Sequence, residues 1–268
     1  MHYSVAVITK NSPDTLEYEQ ELEQLLAPYS EHLEVEPYID QTFQEIVEYA
    51  RKLKEKFTKR LKENSDAFYD KWDLWKKQLV ESGDSDQEIW NIYTSHNSSD
   101  NYDEHGNELS TYNPKSKWDW YAIGGRWTGG FDEQGRDVIP VKEWIFSKTK
   151  EQLLYDADYY KVVYEDAEYS EMRYIKKDEY DRLKEGSHMN PFREDYNSLQ
   201  EFLDEPINIP FEYLTPDGVW HERPECRDFD DDEVVNKHIQ ENKEFIQNIP
   251  EVMKQYQDCF VTFVDCHI

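Results

Sequence analysis

The chain has 268 residues, with 59 Asp and Glu against 30 Lys and Arg, and a formal net charge of −29. Although only 37% of the residues are hydrophobic, the 20 Tyr, 12 Phe and 8 Trp favour a folded protein over a disordered acidic chain. So negative a protein is expected to repel nucleic acids and anionic membranes and to attract basic protein surfaces. We therefore expect neither direct nucleic-acid binding nor a membrane partner.

The sequence also indicates the compartment. It has no run of 18 apolar residues, which argues against a transmembrane helix, and residues 1–10 do not resemble a secretory signal. The three cysteines have no CxxC spacing and are typical of reduced thiols, so we expect a cytoplasmic protein. They are Cys226, Cys259 and Cys266.

Both ends of the sequence predict strands. Residues 1–10 contain a short apolar run at positions 5–8, and residues 259–268 are again apolar. Ser12, Pro13 and Asp14 are typical of a helix start. We predict an α+β fold with a mixed or antiparallel sheet that contains both terminal strands and carries helices on one face.

Residues 41–82 are predicted to be mostly helical. About forty helical residues would span about 60 Å, which is more than a compact domain of this size needs. The segment therefore either folds into a hairpin or projects as an arm, and an arm with a Phe and Trp stripe would favour a homo-oligomer. With an irregular polar excursion at 83–110, residues 1–40 and 111–268 would form the α+β core.

A stretch rich in Trp and Gly follows at residues 113–130. Four of the nine glycines lie at positions 124–130, which favours tight turns with positive φ. In one interpretation, the segment is a ligand pocket with Asp119 as acceptor and Arg126 as anion clamp. In the other, it is a structural hairpin whose Arg126 pairs with Asp119 or stacks on a ring. The candidate pocket residues are Trp118, Asp119, Trp120, Arg126 and Trp127.

Downstream, tyrosines alternate with acidic residues. We predict strands over 138–146 and 161–165 and a short helix over 177–185. Interleaved tyrosines and carboxylates suit a protein interface, and they also suit a half-buried antiparallel sheet.

The acidic residues are segregated along the chain. Residues 11–50 hold eleven acids and no Lys or Arg, whereas residues 51–80 are basic and residues 201–233 are acidic again. These runs are either ordinary solvated helix faces or one acidic face shaped for a basic partner. Spread evenly, the charge would fall about fourfold short of the density of a DNA duplex, so a DNA mimic would need its acids on one face. The candidate partner-binding residues are Asp230, Asp231, Asp232, Glu233, Tyr159, Tyr160, Tyr164, Trp72 and Trp75.

The sequence offers little for catalysis or metal binding. HExxH, GxSxG and a paired CxxC do not occur. His221 with Cys226, or Cys266 with His267, could donate to a metal, but neither has a second matched pair. Since adjacent strand residues point to opposite faces, Cys266 and His267 do not form a ready nucleophile and base. We therefore expect no cofactor, no metal and no enzymatic activity.

Two segments carry a resemblance. Residues 117–127, read as KWDWY followed by IGGRW, and the closing VDCHI of residues 264–268 resemble a signature of uncharacterised proteins of phages and other mobile elements. The resemblance implies an inhibitor of host defence, such as an inhibitor of a Gabija-type nuclease complex, in the host cytoplasm. It identifies no site residue.

These observations predict an acidic, phage-encoded inhibitor without enzymatic activity that occludes the basic DNA-binding surface of a host defence nuclease complex. One alternative is a ligand-binding or enzymatic domain with a Trp and Arg pocket at 118–127. Another is a structural phage protein.

Overall fold

A computed structural model describes residues 1–63, 73–96, 101–165, 174–186, 198–224 and 232–268. The chain forms two compact units: Met1–Ser30 together with Lys117–Ile268, and Glu31–Ser116. The fold is α+β, as predicted. The described strands are β1 (His2–Thr9), β2 (Tyr38–Gln41), β3 (Glu108–Ser110), β4 (Trp120–Ile123), β5 (Val138–Pro140), β6 (Glu212–Leu214), β7 (Trp220–His221) and β8 (Phe260–His267). The described helices are α1 (Leu16–Leu26), α2 (Phe43–Glu63), α3 (Leu74–Glu81), α4 (Asp86–Thr94), α5 (Lys150–Tyr160), α6 (Lys177–Gly186), α7 (Leu199–Leu203) and α8 (Asp232–Met253).

The first unit is built on a mixed six-stranded sheet. Its order is β4-β8-β1-β6-β7, and β5 pairs with β8 along the same edge as β4. The two terminal strands, β1 and β8, are antiparallel over their whole length, whereas β1 and β6 are parallel. The prediction that both terminal strands share one mixed sheet is confirmed.

Helices cover this sheet on both faces. On one face, α1 places Leu22 and Leu26 against Val5, Val7 and Val264. The prediction of helices on one face only is wrong, because β1 is an uninterrupted apolar run rather than an alternating one, and such a run is buried on both sides.

The opposite face carries a second core. There α8 places Ile249 and Met253 against Ala6, Ile8 and Phe263. Because neighbouring residues of a strand point to opposite faces, the residues of β1 divide between the two cores.

Two of the predicted strands differ in the structure. Only Val138–Pro140 is extended within 138–146, because a 3₁₀ turn at Val141–Glu143 follows directly. Residues Lys161–Glu165 form a π-helical continuation of α5 instead of a strand. There Val162 is buried against Ile175 and Tyr180, and this packing overrides its β propensity.

The second unit contains a small helical core. Helices α2, α3 and α4 pack together through Val47, Phe57, Leu79 and Ile89. The packing of α2 on α3 agrees with the hairpin alternative for residues 41–82. Residues 83–110 were expected to be irregular, but the structure places helix α4 within them. The helix buries Ile89 in the core of this unit.

Strands β2 and β3 form a separate antiparallel ribbon in this unit, with Ile39 opposite Leu109. Among the residues that the structure describes, no helix combines the length and apolar character needed to cross a membrane.

Candidate active site

Strand pairing places three aromatic side chains in one row. His267 of β8 lies opposite His2 of β1 on one side and opposite Trp120 of β4 on the other. Side chains of directly opposite residues emerge on the same face of a sheet. The two imidazole centroids lie 4.8 Å apart, edge to face, and the Trp120 ring lies nearly parallel to His267 with centroids 5.5 Å apart.

A buried carboxylate orients the first imidazole. His2 Nδ1 lies 2.9 Å from Asp265 Oδ1, and Asp265 Oδ2 accepts the backbone N–H of Arg126 at 3.0 Å. Asp265 is 1% exposed. Burial alone would raise the pKa of Asp265, but the Arg126 N–H, the His2 contact and the Arg126 charge outweigh burial and lower it. The carboxylate is therefore charged at neutral pH.

A second carboxylate orients the other imidazole. His267 Nδ1 lies 2.8 Å and 3.0 Å from the two carboxylate oxygens of Asp119. Asp119 also accepts the backbone N–H of Trp120 at 2.7 Å. Burial would raise the pKa of Asp119, but the hydrogen bonds from His267 and Trp120 prevail and lower it. Each histidine thus has its own anionic partner at Nδ1.

The glycine pair after β4 lets the chain turn tightly around Asp265. Gly124 and Gly125 both have positive φ, at 68° and 55°. A Cβ at Gly125 would lie 2.4 Å from Asp265 Cβ, and a Cβ at Gly124 would lie 2.3 Å from Asp137 Oδ2. Only glycine tolerates both the dihedral angles and the close approach. The turn positions the Arg126 N–H at Asp265.

This arrangement has a defined chemistry. In a neutral imidazole one nitrogen carries the proton, and a carboxylate at Nδ1 favours the proton there. The Nε2 lone pair of each ring is then available as a base, and a protonated ring can act as an acid. Two imidazoles at 4.8 Å can therefore accept one proton and donate another.

Cys266 lies between Asp265 and His267 in the sequence, but its side chain points to the other face of the sheet. It points into the α1 side of the core, where it is 0% exposed. Burial raises the pKa of its thiol, with contributions from Glu212 and Asp265. The strand geometry thus separates the thiol from His267, as the sequence led us to expect.

The five candidate pocket residues separate into two groups. Asp119, Trp120 and Arg126 lie at the histidine pair. Trp118 is partly buried against the core on the α1 side and donates its indole N–H to the Leu26 carbonyl at 3.1 Å. Trp127 is exposed in the 3₁₀ turn Gly125–Trp127.

The structural interpretation of this segment paired Arg126 with Asp119. In the structure, Asp119 pairs with His267 instead. Within the described ranges, the Arg126 guanidinium has no carboxylate within ion-pair distance. It is exposed, and its charge acts on Asp265.

Sequence reasoning missed His2 and Asp265. The signal was present in the prediction that the terminal strands are neighbours. If two such strands are antiparallel, a residue near the start of one lies opposite a residue near the end of the other. That register pairs His2 with His267 and places Asp265 on the same face two residues earlier.

The candidate partner-binding residues that the structure describes lie in packed surroundings. Tyr160 is buried, and Tyr159 stacks on Phe202 at 6.0 Å. Trp75 contacts Phe57 edge to face and stacks on His96. All three rings thus pack within this chain, and their role in partner binding stays a prediction. Outside the described residues lie Trp72, Asp230 and Asp231, as do the side chains of Tyr164, Asp232 and Glu233.

Metal chemistry gains no support from the described part of the chain, where no three His, Cys, Asp or Glu side chains are grouped to hold an ion. His221 stacks on Tyr213 with centroids 4.3 Å apart, and burial lowers its pKa. Cys226 lies outside the described residues.

The chain has no significant match among protein-family models, curated proteins or solved structures. The geometry of the histidine pair and its surroundings is therefore what points to a function.

Proposed function

We propose that the chain is an enzyme in which His2 and His267 act as a general acid and base pair on an ester substrate. This is the enzymatic alternative that the sequence left open at residues 118–127, extended by the two histidines. The observation that carries it is the pair of imidazoles 4.8 Å apart, each held at Nδ1 by its own carboxylate.

The exposure of the cluster favours catalysis over a purely structural role. A structural histidine pair gains most when it is buried and fully bonded. Here the side chain of His267 is 31% exposed and that of His2 is 15% exposed, and the neighbouring Trp120 is 44% exposed. In this proposal the substrate approaches the Nε2 side of the pair, while Asp265 and Asp119 hold the Nδ1 side.

The proposed step is hydrolysis. One neutral imidazole takes a proton from water at Nε2 while the water oxygen forms a bond to the central atom of the ester. The bond from that atom to the leaving oxygen breaks, and the other imidazole, protonated beforehand, gives its proton to the leaving oxygen. One ring ends protonated and the other neutral, and exchange with solvent restores the starting state.

The test is hydrolysis of methyl esters of phosphoric and carboxylic acids, followed by release of methanol, because an alkoxide leaving group needs the proton that the second imidazole supplies. Because general acid and base catalysis each contribute about 10²–10⁴-fold, we expect His2→Gln and His267→Gln each to reduce the rate by about that factor. His105→Gln is the matched control, since its side chain is 76% exposed in the other unit. Wild-type rates no higher than those of the His2→Gln/His267→Gln double variant would refute the proposal.

A second candidate function is the acidic inhibitor that occludes the basic DNA-binding surface of a host defence nuclease in the cytoplasm. The observation that favours it is exposure: nine of the eleven acidic residues at positions 11–50 are exposed. Such charge would speed encounter with a basic partner.

The inhibitor has its own test, a pull-down from bacterial lysate at two salt concentrations. Since salt screens exposed charges, we expect a nucleic-acid-processing complex to be retained at about 50 mM and released at about 500 mM salt. Retention of such a complex at both concentrations, or no such complex at either, would contradict electrostatic occlusion.

A further inference from the structure

The most exposed member of the histidine row is an indole ring. Trp120 lies on β4, which pairs with β8 on one side and forms an edge of the sheet. Its ring is nearly parallel to His267 and edge-on to His2 at 5.2 Å. Although the imidazoles cover part of this ring, 44% of the residue remains exposed.

Arg126 brings a positive charge to the same site. Arg126 is exposed, and within the described residues no carboxylate lies at ion-pair distance from its guanidinium. Its backbone is fixed at Asp265, which also contacts His2, so a long flexible side chain starts next to the acid and base pair. Guanidinium groups bind the oxygens of phosphates with charge-assisted hydrogen bonds.

We infer that the substrate is a small phosphate ester carrying a planar ring, an inference that rests on the proposed function. The ring would stack on Trp120, and the phosphate would lie at Arg126 and the two Nε2 atoms. An exposed indole gives a planar ring a large contact area at little entropic cost.

The negative charge of the protein favours a small substrate over a nucleic-acid polymer. A nucleic-acid polymer needs many Lys and Arg contacts along its phosphates. This chain has a net charge of −29, and Asp119 and Asp265 add negative charge at the site itself. A ligand with a single phosphate brings far fewer negative charges to the acidic surface than a polymer does, and Arg126 can pair with that one group.

Binding of two probes to the full chain, AMP and ribose 5-phosphate, tests the inference by calorimetry at low salt. We expect AMP to bind about tenfold more tightly than ribose 5-phosphate, since stacking of one base on an aromatic side chain has about that effect. Trp120→Leu should remove this difference, and Arg126→Gln should weaken both phosphates.

Trp127→Leu is the matched control. Trp127 is also exposed and lies in the same segment, but within the described residues its ring has no aromatic neighbour. The variant should keep the preference for AMP.

Equal affinities for AMP and ribose 5-phosphate in the wild type would overturn the inference, as would a preference for AMP that survives in Trp120→Leu. Lack of binding by both phosphates would overturn it as well. These outcomes are separable from failure of the proposed function, because the proposed function is tested by the rate of ester hydrolysis, whereas the inference is tested by the binding of AMP relative to ribose 5-phosphate.

Discussion

His2 and His267 lie directly opposite each other across β1 and β8, with their imidazole centroids 4.8 Å apart. They are 265 positions apart in sequence, so pairing of the terminal strands alone brings them together. Each ring is held by a different carboxylate, Asp265 for His2 and Asp119 for His267. The sheet thus both supports the core and assembles the proposed acid and base pair.

The buried Asp265 makes stability depend on pH. Its folded pKa is lowered below the usual value of about 3.9, so its contribution is complete above that value and is lost as the pH falls through the folded pKa. We expect Asp265→Asn to lower the free energy of unfolding by about 1–3 kcal/mol at pH 7, because its hydrogen bonds involve a charged group. Urea unfolding at pH 7 and pH 3 should show this deficit shrink in acid, and a deficit of the same size at both values would contradict the assignment.

The glycine turn supplies a matched pair of substitutions. Gly125→Ala adds both a left-handed backbone penalty and a collision with Asp265 Cβ at 2.4 Å, whereas Gly135 has φ of 73° and open space around its Cβ position. We expect Gly135→Ala to cost only the backbone term, about 1–2 kcal/mol, and Gly125→Ala to cost more. Thermal unfolding of both variants measures the difference. Equal losses would mean that the approach to Asp265 is not tight.

A buried hydroxyl pair joins α1 to the sheet. Tyr18 Oη lies 2.9 Å from Thr262 Oγ1, and Thr262 is fully buried on β8. Tyr18→Phe leaves the Thr262 hydroxyl without this partner, so we expect a loss of about 1–3 kcal/mol. Combining it with Thr262→Val should cost less than the sum of the two single changes, as measured by urea unfolding. Strict additivity would show that the two hydroxyls are not coupled.

The thiol of Cys266 should be inert in the folded protein. It is fully buried and its pKa is raised, so neither access nor thiolate formation is favoured. We expect Cys266 in a Cys226→Ser/Cys259→Ser variant to react with an aromatic disulfide reagent only after denaturant is added. Rapid reaction without denaturant would place the thiol at the surface and reopen its use as a nucleophile.

The two terminal strands of the central sheet could be predicted from the sequence because each is a local apolar run. Residues 5–8 and 259–268 indicated the two terminal strands, and these pair as expected. The prediction of a strand over residues 161–165 was wrong. The Val and Tyr residues there favour a strand locally, but burial of Val162 against Ile175 and Tyr180 stabilises a helical conformation.

The candidate site was predictable only in part. Asp119, Trp120 and Arg126 lie in one conspicuous segment, so their residue types alone drew attention to them. His2 and Asp265 carry no local motif, and their roles follow from the register of β1 against β8. A sequence pattern predicts the location of a strand more readily than its register, which decides which residues lie opposite each other.

The measurement that tests the acid and base pair most directly is ¹⁵N NMR of the imidazole rings in the full chain, with His2→Gln and His267→Gln to assign the signals. Because each Nδ1 faces a carboxylate, at a pH where both rings are neutral they should carry the proton on Nδ1 and leave Nε2 as the lone pair. Protons on Nε2 in both rings would contradict the arrangement, since neither ring could then accept a proton from water on its open side.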